Sequence, residues 1–482
     1  MKLIKICSIL MLAATMFSVT SCTKDFKEMN TDPNRAPAAL PEALLAPALF
    51  DVVTRNQTRA LRLNNELMQV HVTTINSDEI HRYVIRPSES DYMWNNWYLQ
   101  RTNFLDMYNS AATLQQKTYM GIALIMDVWV SSMITDMFGD VPYSEANRGR
   151  EAIYQPKFDL QKDIYTDLFR KLEEANTLLA ANEALTTDQK ALDPLYAGDH
   201  TLWRKFGNSL YLRLLLRVSG KPEMNAPEKI KEIVETNKAN YPIFTSNAES
   251  AILRFTTTPP YVSAFYTYRD YDFNGDNGLS QFFINNLNEW SDPRRDKWAT
   301  KVGSNFEGVP SGYPVGQVPE RRSAYLAALK NEPLLGNIMN YGELQFILAE
   351  AALKGYIGGD VETYYNKGVE AGVTLWNVAL PADYFTQEGV QWDPSVSFSA
   401  QMEQIHTHKY YTLFFTDFQQ WHEFRRTGHP VLPLGEGVRN DGKMPSRFNY
   451  PVYVQSLNKA NYDAAVSRMG GDNINIKVWW NQ

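Results

Sequence analysis

The chain has 482 residues, of which 44% are hydrophobic and 21% charged, with a formal net charge of −7. That composition excludes a disordered chain and allows a substantial core. The acidic balance, with no long Lys/Arg block, gives no electrostatic basis for nucleic-acid binding.

Lys2 and Lys5 precede a run from Ile6 to Val19 that is apolar apart from Ser8, Thr15 and Ser18, which predicts a secretory signal peptide over residues 1–21. Nothing later is expected to reach the roughly 20 predominantly apolar residues of a spanning helix. Val19-Thr20-Ser21-Cys22 resembles the bacterial lipoprotein box. That resemblance implies that Cys22 becomes the first mature residue and is acylated on its thiol and its new amine. One acyl chain holds a protein only marginally, at about 0.8 kcal/mol per buried CH2, whereas several hold it durably. Cys7, the other cysteine, falls in the removed segment, so no intramolecular disulfide is expected. Residues 22–40, with Asn30-Thr31-Asp32-Pro33-Asn34, read as a lipidated polar tether, and a single domain is expected over 41–482.

Helical periodicity dominates that domain. Leu160, Ile164, Leu168, Leu172 and Ala175 make one stripe, and Leu202, Phe206, Leu210, Leu214 and Val218 make another. Between about residues 241 and 335 the pattern changes to Pro, Gly, Asn and aromatic residues, an irregular insertion on the ligand side of a helical scaffold spanning about 41–240 and 336–482. Within it, Ala251–Phe255 reads as a small strand. Leu344, Ile347, Leu348, Ala351, Ala352 and Gly355 then form a stripe; Gly358-Gly359 breaks the chain, Asp360 caps the next helix, and Val361, Tyr364, Tyr365, Gly368, Gly372, Val373 and Trp376 form a second. This pair resembles the tetratricopeptide hairpin, in which small side chains let helices approach closely. The fold class expected is mainly α: tetratricopeptide-like helix pairs forming a scaffold, with a long irregular loop-rich insertion and few short strands.

Gly-x-Ser-x-Gly, a phosphate loop ending in Gly-Lys-Ser/Thr, and His-Glu-x-x-His do not occur in the sequence. His406 and His408, two apart on a predicted helix, stand about 200° apart and do not converge on one metal. Asp270, Asp272, Asn274 and Asp276 match the first half of a calcium loop, but position twelve is Gln281 rather than Glu, so a polar turn is expected, with calcium as the alternative. No other cofactor is expected. Tyr92, Trp94, Trp97 and Tyr98 sit among Asn95 and Asn96, and Tyr261, Phe265, Tyr266, Tyr268 and Tyr271 crowd the insertion beside Arg269 and Asp270. Rings beside amides and guanidinium groups suit a sugar, whose C–H face stacks while its hydroxyls take directional hydrogen bonds; they suit a peptide almost as well. Trp97 is expected in the core.

Several motifs together resemble the SusD/RagB group of outer-membrane nutrient-binding lipoproteins, in particular its second SusD-like subfamily. They are Cys22-Thr23-Lys24-Asp25-Phe26 with Asn30-Thr31-Asp32-Pro33-Asn34, Thr135-Asp136-Met137-Phe138-Gly139-Asp140-Val141-Pro142-Tyr143-Ser144-Glu145-Ala146, and Ser291-Asp292-Pro293-Arg294. Further along stand Tyr341-Gly342-Glu343-Leu344-Gln345-Phe346-Ile347-Leu348-Ala349-Glu350-Ala351-Ala352, Trp421-His422-Glu423-Phe424-Arg425-Arg426-Thr427-Gly428, Gly470-Gly471-Asp472 and Val478-Trp479-Trp480. Most read as architecture; Arg425 and Arg426, near a helix end before Gly428, complement the helix dipole and reach carbonyls.

The resemblance implies a lipid-anchored protein of the outer membrane, facing the exterior, that lies as a lid over a SusC-like TonB-dependent transporter and captures oligosaccharide, or oligopeptide in some members, without catalysis. Ligand contacts are expected at Tyr83, Trp94, Tyr261, Tyr266 and Tyr268. The rival readings are a secreted glycoside hydrolase, for which acidic residues are available in number, and a helical adaptor that binds only protein.

Overall fold

A computed structural model describes residues 39–482, of which Leu40–Gln482 form one unit. Cys22, the predicted signal peptide and all but the end of the tether lie outside the described residues. Helix α1 (Pro41–Leu67) begins with a proline at its first position, where a missing N–H costs nothing. It is followed by α2 (Glu89–Thr113), α3 (Lys117–Phe138), α4 (Gln161–Ala180) and α5 (His200–Arg217), each packed against the one before. A long connection carrying α6 (Gln281–Glu289) leads to α7 (Tyr341–Leu353), α8 (Val361–Thr374) and α9 (Phe398–Thr412), which pack on one another; α10 (Gln419–Thr427) follows. Helix α7 also meets α5, joining the two helical groups.

Helix α3 corrects one expectation. It is long and apolar enough to cross a membrane by length and composition, yet that apolar window is 100% buried inside the fold, as in the central helix of a bundle. It stops at Phe138 because Gly139 turns to a positive φ of 86°.

The α7–α8 pair is the hairpin read from the sequence. Asn340 and Asp360 cap its two helices, their side chains accepting from Glu343 N at 2.8 Å and Thr363 N at 2.9 Å. Its close approach depends on Gly368, where a Cβ would stand 2.9 Å from the Phe346 ring of α7; on the other side of α8, a Cβ on Gly372 would stand 2.3 Å from Thr412 Oγ1 of α9.

Strands are short and all pairs antiparallel: β1 (His71–Thr73) with β5 (Asn277–Leu279), β2 (Val141–Pro142) with β3 (Phe158–Asp159), and β4 (Ala251–Ile252) with β6 (Asn337–Met339). The strand expected over Ala251–Phe255 regularises only at its first two residues. Beyond them the partner chain is a helical turn, which offers single bonds from Leu253 N to Gly336 O at 3.0 Å and Phe255 N to Pro333 O at 3.1 Å.

Five of the sequence motifs supply halves of interior ion pairs. Asp136 meets Arg217 at 2.6 Å, Asp292 meets Arg294 at 2.6 Å, Glu343 meets Arg213 at 2.6 Å, and Asp472 meets Arg447 at 2.9 Å. Glu350 takes both arms of Arg426 at 2.6 Å each, while Glu423 takes Lys409 at 2.7 Å and Arg426 at 2.7 Å. Arg425 stacks on Trp421 at 3.8 Å and donates to the carbonyls of Asp136 and Ser446 at 2.9 and 2.7 Å. A buried charge needs such a partner to stay ionised, and that requirement ties together segments far apart in sequence.

Candidate ligand surface

The irregular stretch is fastened to the scaffold by β4·β6 near its two ends and by β1·β5 in its middle. A third fastening lies between them: Tyr313 stacks on His81 at 4.9 Å, its ring receives Arg82 at 4.5 Å, and its hydroxyl donates to Thr73 O at 2.6 Å. Between β4 and β5, Phe265 and Phe273 are buried and touch at 5.1 Å. They pin down the turn that presents Tyr266, Tyr268 and Tyr271, which are 39%, 37% and 62% exposed. Lys330 Nζ holds that turn from outside, donating to Tyr268 O at 2.9 Å and pairing with Asp270 at 2.6 Å. Arg269, itself exposed, forks onto Asp272 at 2.7 and 2.8 Å.

The five residues expected to touch ligand therefore part company. Tyr266 and Tyr268 share this exposed turn. Tyr261, half-buried, lies edge-on to Phe50 of α1 at 5.9 Å. Trp94 and Tyr83 are placed elsewhere. Trp94 is buried among Tyr98, Phe138, Tyr450 and Phe158, with ring centroids at 4.9 to 6.5 Å, and Tyr83 is buried, its hydroxyl pushed up to about 12 by loss of water. The physical reason for Trp94 is its phase on α2: Trp94, Trp97, Arg101 and Phe104 follow the inward stripe, and all are buried. Trp97 donates from Nε1 to Asn56 at 2.8 Å, the core role expected of it. Tyr271, outside the five residues expected to touch ligand, is the most exposed ring of the cluster; its neighbour Phe273 is buried on the same turn.

The stretch proposed as a polar turn or calcium loop is a helical turn, Asp270–Asn274. Its carboxylates are separately engaged, Asp270 by Lys330 and Asp272 by Arg269, and Asn274 is buried with Nδ2 donating to Tyr325 O at 3.1 Å. Asp276, exposed beyond the turn, accepts from Thr74 N through its backbone carbonyl at 2.9 Å.

Elsewhere a cavity of about 540 Å³ opens between α2, α4 and the 143–151 loop, lined among others by Arg101, Asp106, Tyr143, Asn147, Asp167 and Lys171. Its charges neutralise one another: Lys171 lies 2.5 Å from Asp127 and 3.3 Å from Asp167, and Arg101 lies 2.9 Å from Asp127. Glu350, His406 and Glu423 bring possible ligand atoms within 4.8 Å of one another, but Arg426 bridges the two carboxylates, so this is a charge network built around a guanidinium. His408 instead stacks on Trp290 at 4.2 Å and bonds Gly389 O, so the two histidines diverge as expected. Burial pushes up the carboxyls of Glu66, to about 7, of Asp417, to about 6, and of Asp140; all three are buried.

A family model described as "starch-binding associating with outer membrane", the second SusD-like family, matches residues 33–451. The chain belongs to the SusD-like family. Solved structures of SusD-like proteins share the fold. A SusD homologue from Bacteroides fragilis NCTC 9343 is 24% identical with a TM-score of 0.79, over 92% of this chain and 99% of that one. A chitin-binding protein is 26% identical, TM-score 0.75, over 91% and 99%. A chitin-binding SusD homologue from Flavobacterium johnsoniae is 22% identical, TM-score 0.78, over 92% and 98%. Among curated proteins none matches. In this SusD-like chain five of the sequence motifs contribute to the interior charge network, while the exposed tyrosine turn lies outside them.

Proposed function

We propose that this protein is a non-catalytic lipoprotein of the outer membrane that binds nutrient oligosaccharides and, as a lid, delivers them to a SusC-like TonB-dependent transporter. The observation that carries the reading is the turn at Tyr266, Tyr268 and Tyr271, which exposes three rings on a base fixed by Phe265 and Phe273. Rings held rigid before binding lose little entropy when a sugar face stacks on them, and the neighbouring Arg269 offers donors to hydroxyls. Two relatives described as chitin-binding, and a family described as starch-binding, favour a glycan over an oligopeptide.

The test is calorimetric titration of the purified mature protein with chito- and malto-oligosaccharides and with a peptide pool. Tyr266→Ala with Tyr268→Ala is expected to weaken the bound glycan about tenfold or more, about 1.4 kcal/mol. Undiminished affinity in the double variant rules out this turn as the ligand surface. Binding only from the peptide pool transfers the lid role to oligopeptides, and release of labelled product on long incubation favours the hydrolase. Co-purification with a TonB-dependent barrel from solubilised membranes tests the delivery step.

A further inference from the structure

Four side chains from separate segments meet around a small interior space bounded by Val53, Leu335, Ile338 and Phe415. Gln57 comes from α1, Trp129 from α3, Asn337 from β6, and Asp417 from the turn before α10. Their exposures are 4%, 1%, 8% and 5%. Each has one polar atom without a protein partner: Gln57 Nε2, Trp129 Nε1, Asn337 Oδ1 and Asp417 Oδ2.

The remaining bonds of these groups fix which atoms face inward. Gln57 Oε1 accepts from the backbone N–H of Ala264 at 3.1 Å, so the amide nitrogen is the end left over. Asn337 donates from Nδ2 to Thr416 Oγ1 at 2.7 Å. Asp417 Oδ1 accepts from Phe418 N at 2.5 Å and Gln419 Nε2 at 2.8 Å. An indole nitrogen only donates. Two donors and two acceptors, all unpartnered, thus belong to residues lining one space, and each left unmade costs about 1–3 kcal/mol. The matching molecule accepts twice and donates twice. The two N–H groups repel a metal cation, and the carboxylate repels an anion. The space open to a water centre is about 10 Å³, close to what one buried water occupies.

We propose that this space is an internal water site, in which one water accepts from Trp129 and Gln57, donates to Asn337 and Asp417, and ties α1, α3, β6 and the turn before α10 together. Its reach extends to the insertion, because the same Gln57 amide holds Ala264, two residues before Tyr266. The site stands whatever the tyrosine turn binds.

The test begins with a crystal structure of the native mature protein at a resolution that places waters. In solution, the Trp129 indole N–H, assigned by its loss in Trp129→Phe, is examined for a cross-relaxation peak with long-lived water. The expected result is one well-ordered solvent peak within hydrogen-bond distance of all four atoms, and an indole–water cross-peak. A peak touching fewer than three of the four, or the four groups paired with one another, overturns the site. For the link to the insertion, Gln57→Met is expected to raise proteolytic cleavage within residues 256–276 several-fold; an unchanged rate in a folded variant overturns that link.

Discussion

Glu66 ends α1 in a fully interior position, with Thr73 Oγ1 at 2.7 Å, His81 N at 3.1 Å and His71 Nε2 at 4.0 Å. Burial pushes its carboxyl up from 4.5 to about 7, while burial pulls His71 and His81 down to about 3, so neither imidazole supplies a charge. Between about pH 4.5 and 7 the folded chain holds a proton here that the unfolded chain releases. This residue's contribution to stability is therefore fully present below 4.5 and is lost as pH rises through about 7, on the order of 3 kcal/mol in all. Glu350 and Glu423 act with the opposite sign: their guanidinium and ammonium partners hold them well below the usual range, so their contribution is present above about 4.5 and fails in acid. The depressed histidines act the other way over part of this range, so the readout is the difference between curves: from pH 5 to pH 8 we expect the urea-unfolding free energy of Glu66→Gln to rise relative to that of the wild type, and parallel curves for variant and wild type count against it. At this scale the sequence was least legible. Tyr266 and Trp94 are both aromatic residues beside polar neighbours, and only the inward phase of α2 separates the buried ring from the exposed one.

Helix pairs were the most legible feature, because the 3.6-residue stripe and its punctuation are local. Asp360 and the Gly358-Gly359 break lie where the chain turns from α7 to α8, and Gly368 and Gly372 bring α8 against Phe346 and Thr412. Gly368→Ala forces a methyl group onto a ring 2.9 Å away. It is expected to lower stability by about 1–3 kcal/mol, read as a fall in the thermal midpoint. Tolerance of alanine with no change in midpoint would mean that α7 and α8 have slack between them. Irregular elements were less legible, since the insertion's fastenings are non-local: nothing near Tyr313 in the sequence indicates that it stacks on His81. Helix α3 meets the length and composition of a spanning helix where none was expected, because a helix surrounded by protein and one surrounded by lipid share a composition.

Across the whole molecule, the interior charge network joins distant segments, α5 to α3 through Arg217 and Asp136, α5 to α7 through Arg213 and Glu343, and α10 to α7 through Arg426 and Glu350. The proposed lipid anchor belongs to this scale as well. Labelled fatty acid is expected to enter the wild type and not Cys22→Ala, and equal incorporation in both would remove the lipid attachment from the account. The β4·β6 pair sets the entry and exit of the irregular stretch side by side, while β1·β5 ties its middle to the segment after α1, and its own Phe283, Arg294 and Trp298 meet Tyr411, Gly372 and Trp376 of the helical scaffold. Hinged at one seam yet rooted in the interior, such a stretch is no detachable module: grafting residues 253–336 by themselves severs what Arg294 and Trp298 hold, so surface and frame have to change in step.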